Sequence, residues 1–149
     1  MNQIINAGRH IGIPVLNIDI MISFYVNLLG FKIKSNEIEQ GDFISHILGV
    51  ENCKIHVVKM VAPDGWMLEL LLYLNINRGD SKKDSKMIYD LGNAHMALTV
   101  TNVDEAYNYL KLNNIKFISL PKLSSSGKAK VCFCQDPEGN YIELVEILI

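Results

Sequence analysis

The second half of this 149-residue sequence repeats the pattern of the first half. An offset of 85 residues places His10 on His95, Asn17 on Asn102 and Asp19 on Asp104. The apolar residues that follow Asn17 and Asn102 recur with the i, i+3, i+4, i+7 spacing of an amphipathic helix in both copies. This duplication constrains the fold more than any single motif does, because both copies are expected to form the same elements.

The ends of the two halves match at a different offset, 74 residues. Residues 62–70 read Ala-Pro-Asp-Gly-Trp-Met-Leu-Glu-Leu and residues 136–144 read Asp-Pro-Glu-Gly-Asn-Tyr-Ile-Glu-Leu, so that Pro, Gly, Glu and Leu coincide. A Pro and a Gly before an apolar run predict a turn that leads into a strand. The change of offset, 85 − 74 = 11, predicts an insertion of about 11 residues in the first half, at residues 40–50.

Alternating residues predict the remaining strands. One strand precedes each helix, at residues 10–15 and 95–100, and two more are expected between helix and final hairpin in each half, at 31–38, 54–60, 115–119 and 130–135. Each half therefore reads βαβββ, and the predicted fold is α+β, with two tandem βαβββ modules that form mixed sheets. Because half of the chain is small for independent stability, we expect one domain over residues 1–149, with module 1 at about 8–75, a polar connector at 76–92 and module 2 at about 93–149.

Composition excludes several classes of partner. The sequence has 14 Lys and Arg against 16 Asp and Glu, and its longest basic block is Lys82-Lys83, which argues against binding to nucleic acid or to an anionic membrane. No apolar run approaches the roughly 20 residues needed to span a bilayer, and residues 1–9 lack the pattern of a secretory signal. A cytoplasmic location is the expectation.

The odd number of cysteines, Cys53, Cys132 and Cys134, predicts buried thiols rather than disulfides.

Two kinds of ionisable residue recur in both halves at positions that need a chemical explanation. His10 and His95 open the first strand of each half, and each shares a strand face with a small residue two positions on. Glu69 and Glu143 lie within apolar final strands, where an ionised carboxylate is costly unless it is paired or bound to a metal.

Taken singly, a strand histidine or glutamate is usually structural or faces water. The joint pattern favours a metal site, because two imidazoles and two carboxylates at corresponding positions of a duplicated unit can converge on one ion. This donor set suits one divalent Zn²⁺, Ni²⁺, Co²⁺, Mn²⁺ or Fe²⁺ ion.

Paired βαβββ halves with these His and Glu positions resemble the vicinal oxygen chelate superfamily, which includes glyoxalase I, methylmalonyl-CoA epimerase, extradiol dioxygenases and antibiotic-resistance proteins. The resemblance covers residues 10–32, 64–73, 92–112 and 131–146. It implies that the sheets curl around a cavity with one divalent metal ion and that a small molecule is the substrate. It also implies that the protein is a homodimer and that the metal ligands are His10, Glu69, His95 and Glu143. Either Glu143 or Glu69 would be the catalytic base.

The complete ligand set is most similar to that of glyoxalase I, which predicts a metal-dependent lyase or isomerase. Bacterial glyoxalase I has an Arg and an Asn that help to hold glutathione, and this sequence has Pro14 and Tyr73 at those positions. A weak preference for glutathione is therefore expected. The alternatives are an acyl-CoA epimerase, a ring-cleaving dioxygenase of the extradiol type and a non-catalytic drug-binding resistance protein.

Overall fold

The chain divides into two compact units, Met1–Gly79 and Asp80–Ile149. The computed structural model describes residues 4–76 and 87–149. Each unit contains one four-stranded sheet. Most of the predicted connector at 76–92 lies outside the described residues.

The first unit contains a mixed sheet with strand order β1-β4-β3-β2. Strand β1 runs parallel to β4, and the other neighbours are antiparallel. Helix α1 continues through Ser23–Leu28 with π-helical turns, and helix α2 occupies the predicted insertion. The elements are β1 (His10–Pro14), α1 (Ile18–Ile22), β2 (Lys32–Gln40), α2 (Asp42–Leu48), β3 (Lys54–Val61) and β4 (Met67–Tyr73).

The second unit repeats this arrangement with strand order β5-β8-β7-β6, and β5 runs parallel to β8. Its elements are β5 (Met96–Thr99), α3 (Val103–Leu112), β6 (Lys122–Leu123), β7 (Ala129–Gln135) and β8 (Tyr141–Ile147). The two mixed sheets with few helices confirm the predicted α+β class and the tandem modules.

The predicted strand at 115–119 is wrong. Within this segment only Phe117 forms a bridge, to Cys134, and the strand beside β7 is instead β6. Pro121, which has no N–H to donate to a ladder, lies between that bridge and β6. The edge of the second sheet is therefore two short pieces rather than one strand.

Equivalent asparagines begin the main helix of each unit. The side chain of Asn17 accepts a hydrogen bond from the Ile20 N–H at 3.1 Å, and that of Asn102 accepts one from the Glu105 N–H at 3.0 Å. Both side chains satisfy an N–H group that the helix itself leaves unpaired. The repeat therefore extends to the helix caps.

Strand alternation separates an apolar face from a face with polar groups in each sheet. Leu68 and Leu70 of β4 are fully buried, as are Ile142 and Leu144 of β8. Successive side chains of a strand point to opposite faces, so Glu69 and Glu143 lie on the other face.

Among the helices of residues 4–76 and 87–149, none combines the length and apolar character that crossing a bilayer requires.

Candidate functional site

The first predicted pair, His10 and Glu69, is assembled by the parallel pairing of β1 with β4. Gly12 lies directly opposite Glu69 in the register, and His10 is two residues earlier on the same strand face. The Nε2 atom of His10 lies 3.3 Å from Oε2 of Glu69. The Glu69 side chain is 14% exposed and the His10 side chain 31% exposed, so the pair is partly shielded from water.

The second pair, His95 and Glu143, has the same construction. Ala97 lies opposite Glu143 in the parallel pairing of β5 with β8, and His95 is two residues before Ala97. The distance from His95 Nε2 to Glu143 Oε2 is again 3.3 Å. The duplication therefore includes strand register and side-chain geometry as well as sequence.

The structure brings the four predicted site residues together as two pairs, each within one unit. No group of three or more His, Cys, Asp or Glu side chains that could hold a metal ion occurs among residues 4–76 and 87–149. Convergence of all four residues on one ion stays a prediction.

The chemistry and spacing of each pair fit a transition metal ion. An imidazole nitrogen and a carboxylate oxygen are both ligands of the metals expected from the sequence. Two donors that are each about 2.1 Å from one ion, at an angle of roughly 90–109°, are separated by about 3.0–3.4 Å. The observed 3.3 Å lies within that range for both pairs.

A hydrophobic cluster lies on the same sheet face as Glu69. It is formed where α2 covers the sheet, and its members are Ile44, Val50, Cys53, Ile55, Val57, Leu71 and Tyr73. A side chain at Gly12 would place its Cβ 3.0 Å from Cδ1 of Leu71, so this glycine leaves the space that Leu71 uses. Tyr73, one of the two positions that depart from the glutathione-binding pattern, packs against this cluster.

Sequence reasoning did not identify Lys59, which lies opposite Glu69 in the pairing of β3 with β4. The Nζ atom of Lys59 is 3.9 Å from Oε1 of Glu69. His10 contacts the other oxygen of that carboxylate, Oε2. The equivalent residue at the 74-residue offset is Phe133, which lies opposite Glu143. The sequence does contain a signal here, because a lysine in one half replaces an aromatic residue in the other.

Phe133 contacts the histidine of its own pair. Its ring and that of His95 are 5.3 Å apart between centroids and meet edge to face at 77°. Glu143 forms no ion pair with a lysine or arginine in the part of the chain that the structure describes. The two pairs thus have equal His–Glu geometry but different neighbours.

The cysteines take no part in these pairs. All three are free and buried, as predicted. Burial, together with the nearby Asp104 carboxylate, raises the pKa of Cys132 to about 11. Burial, together with Cys132 and Asp136, raises the pKa of Cys134 to about 12. Both thiols are therefore protonated at neutral pH, and a thiolate is the form that binds metals.

Comparison with known proteins shows the family. The family model of the Glyoxalase/Bleomycin resistance protein/Dioxygenase superfamily matches residues 9–144, so the chain belongs to this superfamily. A curated relative, lactoylglutathione lyase from Schizosaccharomyces pombe, is 29% identical over 148 residues. The match covers 92% of this chain and 46% of the relative, so the chain spans about half of that protein's length.

Solved structures confirm the fold. A glyoxalase family protein from Bacillus cereus matches with a TM-score of 0.86 at 21% identity, covering 99% of this chain and 97% of that one. The trypanothione-dependent glyoxalase I of Leishmania major matches with a TM-score of 0.63 at 24% identity, over 92% and 84% of the two chains. An antibiotic-binding protein from a Streptomyces species matches with a TM-score of 0.66 at 16% identity, over 98% and 99%. These three structures share the fold of this chain, and the family model confirms the predicted family resemblance.

Proposed function

We propose that this protein is a divalent-metal-dependent lyase or isomerase of the glyoxalase type, which transfers a proton next to a carbonyl group of a small substrate. The observation that carries the proposal is the repeated His–Glu pair, with the same register and the same 3.3 Å spacing in both units. Membership of the superfamily and the identity with a lactoylglutathione lyase support it.

His10, Glu69, His95 and Glu143 would hold one Ni²⁺, Zn²⁺, Co²⁺, Mn²⁺ or Fe²⁺ ion. When bound, such an ion supplies Lewis acidity to a substrate carbonyl. Glu143 or Glu69 would take the proton from the neighbouring carbon and return it to the adjacent atom, which is the work of a general base and then a general acid. The proposal holds whether the pairs meet within one chain or across two copies.

We propose that the protein prefers glutathione only weakly over other thiols as the carrier of the substrate. Pro14 lacks a cationic side chain, and Tyr73 packs against the cluster that contains Ile44, so neither supplies the charge-assisted contacts that a peptide carboxylate favours. The trypanothione-dependent relative from Leishmania major is consistent with thiol choice differing within the superfamily.

Metal analysis and turnover test the proposal together. The purified protein is stripped with a chelator, reloaded with each candidate ion and assayed for metal content. Loss of a ligand charge should lower Co²⁺ affinity at least tenfold in Glu143→Gln and Glu69→Gln, because a neutral amide is a poorer ligand. Glu37→Gln, an exposed glutamate of β2, is the matched control and should bind as the wild type does.

Turnover is then measured with methylglyoxal and glutathione, with methylglyoxal and trypanothione, and by proton exchange of an acyl-CoA substrate in deuterated water. Metal-dependent turnover of a thiol adduct supports the lyase. Exchange of the acyl thioester alone would transfer the assignment to the epimerase. Wild-type protein that binds none of the ions would contradict the proposal and favour a binding protein similar to the antibiotic-binding neighbour.

Homodimer formation is part of the proposal, since members of the superfamily often form dimers. The main helix of each unit leaves apolar side chains exposed, with Ile20 of α1 at 50% and Leu112 of α3 at 84%. Light scattering should report about 34 kDa, which is twice the 16.8 kDa of the chain. A monomer at micromolar concentration would contradict this expectation.

The cytoplasmic location stays a prediction.

A further inference from the structure

An open groove lies at one end of the first sheet, beside the starts of β1 and β4. It is lined by residues 4–9, Lys34, Gly65 and Met67, all of which belong to the first unit. Its volume of about 540 Å³ is typical of a pocket that binds a small molecule. Neither member of the His10–Glu69 pair lines this groove, so the metal site predicted above does not account for it.

Two cationic side chains give the groove its charge. Arg9 and Lys34 line it, whereas no Asp or Glu of the described residues does. Neither cation forms an ion pair with a carboxylate within residues 4–76 and 87–149. An arginine can hold a carboxylate or a phosphate through two parallel N–H donors, and a lysine adds a compact positive charge. The polar part of a ligand for this groove is therefore an anion.

The rest of the lining is mainly apolar. Ile4 is 88% exposed and Ile5 is 72% exposed, so both leave aliphatic surface in contact with water. Ala7 and Met67 add further apolar atoms to the walls. A ligand that covers this surface gains up to about fourfold in affinity for each methylene group that it buries. The groove thus suits an anion that carries a short apolar chain.

The repeated fold does not by itself require either cation. The pairing of β2 with β3 shifts between Ile33 and Ser35, so Lys34 is the extra residue of a β-bulge. A bulge changes the direction of a side chain relative to the regular strand, and bulges are frequent beside functional sites. The residue equivalent to Arg9 at the 85-residue offset is Ala94, so β5 forms without an arginine at that place.

We propose that this groove binds a small organic anion, which has one carboxylate or phosphate group and a short apolar chain. Arg9 and Lys34 hold the anionic group, and the chain covers Ile4, Ile5 and Met67. Binding needs no metal ion and no residue of the His–Glu pairs. The inference therefore goes beyond the proposed lyase or isomerase activity and does not depend on it.

Trp66 is the single tryptophan of the sequence and lies between Gly65 and Met67, so its fluorescence can report binding in the groove. The full chain is titrated with hexanoate and with hexyl phosphate in the presence of a chelator. Hexanol has the chain without the charge, and acetate has the charge without the chain. We expect saturable binding of at least one of the two six-carbon anions, and an affinity about tenfold lower for hexanol and for acetate. The anion that binds more tightly identifies the group as carboxylate or phosphate.

Substitution of the two cations tests their role. Arg9→Gln and Lys34→Gln should each weaken binding of the anion by about fivefold, which is the upper limit for one exposed ion pair. Lys54→Gln is the matched control and should bind as the wild type does, because it removes a lysine of the same unit that does not line the groove. The double variant with Arg9→Glu and Lys34→Glu should bind hexylammonium instead of hexanoate, which an unfolded protein would not do.

Three results would overturn the inference: binding of hexanol as tight as that of the anions, wild-type affinity in both glutamine variants, or no saturable binding of either anion. Each of them leaves the proposed function intact, because the assay contains no free metal ion. Absence of Co²⁺ binding in reloaded protein would contradict the proposed function alone.

Discussion

Ile44 connects the inserted helix α2 to the sheet, and its replacement gives a direct measure of that packing. The side chain is 7% exposed and lies in a cluster with Cys53, Ile55 and Val57. Ile44→Ala removes three buried carbon atoms, which corresponds to about 2.4 kcal/mol at roughly 0.8 kcal/mol each. The cavity that remains raises the cost to about 3 kcal/mol, and the higher helix propensity of alanine returns roughly 0.4 kcal/mol.

The expected net loss in the free energy of unfolding is therefore about 2.5 kcal/mol. Urea unfolding followed by circular dichroism measures it, and the melting temperature should fall by about 7 °C for a chain of this length. Ile47→Ala is the control, since Ile47 lies on the same helix but is 56% exposed. It should change the stability by less than about 0.5 kcal/mol.

Equal losses for the two variants would refute the reasoning, because the buried Ile44 would then contribute no more to stability than the exposed Ile47 does. A loss below about 1 kcal/mol for Ile44→Ala would likewise show that α2 does not cover the sheet face beside Glu69.

Three further expectations concern pH, a helix cap and a turn. Burial raises the pKa of the Cys134 thiol from 9.0 to about 12. The contribution of this thiol to the free energy of unfolding is therefore complete below pH 9 and is lost as the pH rises toward 12, by up to about 1.4 kcal/mol per pH unit. Cys134→Ala should flatten the dependence of the melting temperature on pH between 8 and 10.5. Asn102→Ala should cost about 1 kcal/mol in urea unfolding, because it removes the acceptor of the Glu105 N–H, whereas Thr101→Ala, just outside the cap, should be nearly neutral. Gly65→Ala should cost about 1 kcal/mol because Gly65 has φ +88°, and Gly8→Ala is the control with open space and no positive φ.

The amino-acid sequence determined the fold class and the members of both pairs. Two offsets, 85 and 74 residues, were enough to predict two βαβββ modules and an insertion of about 11 residues within the first module. Period-two alternation also predicted that His10 shares a strand face with Gly12 and that His95 shares one with Ala97. These features were readable because they depend on residues close together in the chain.

Only the tertiary structure decided which side chains face each other. The opposition of Gly12 to Glu69, the position of Lys59 beside that carboxylate and the cover that α2 provides all depend on how separate strands pair. The strand predicted at 115–119 was wrong for the same reason. Its residues alternate as those of a strand do, but it pairs with β7 only at Phe117. The alternation of residues along a strand indicates on which face of that strand each side chain lies. The register between two strands is set instead by contacts between residues that are far apart in the sequence.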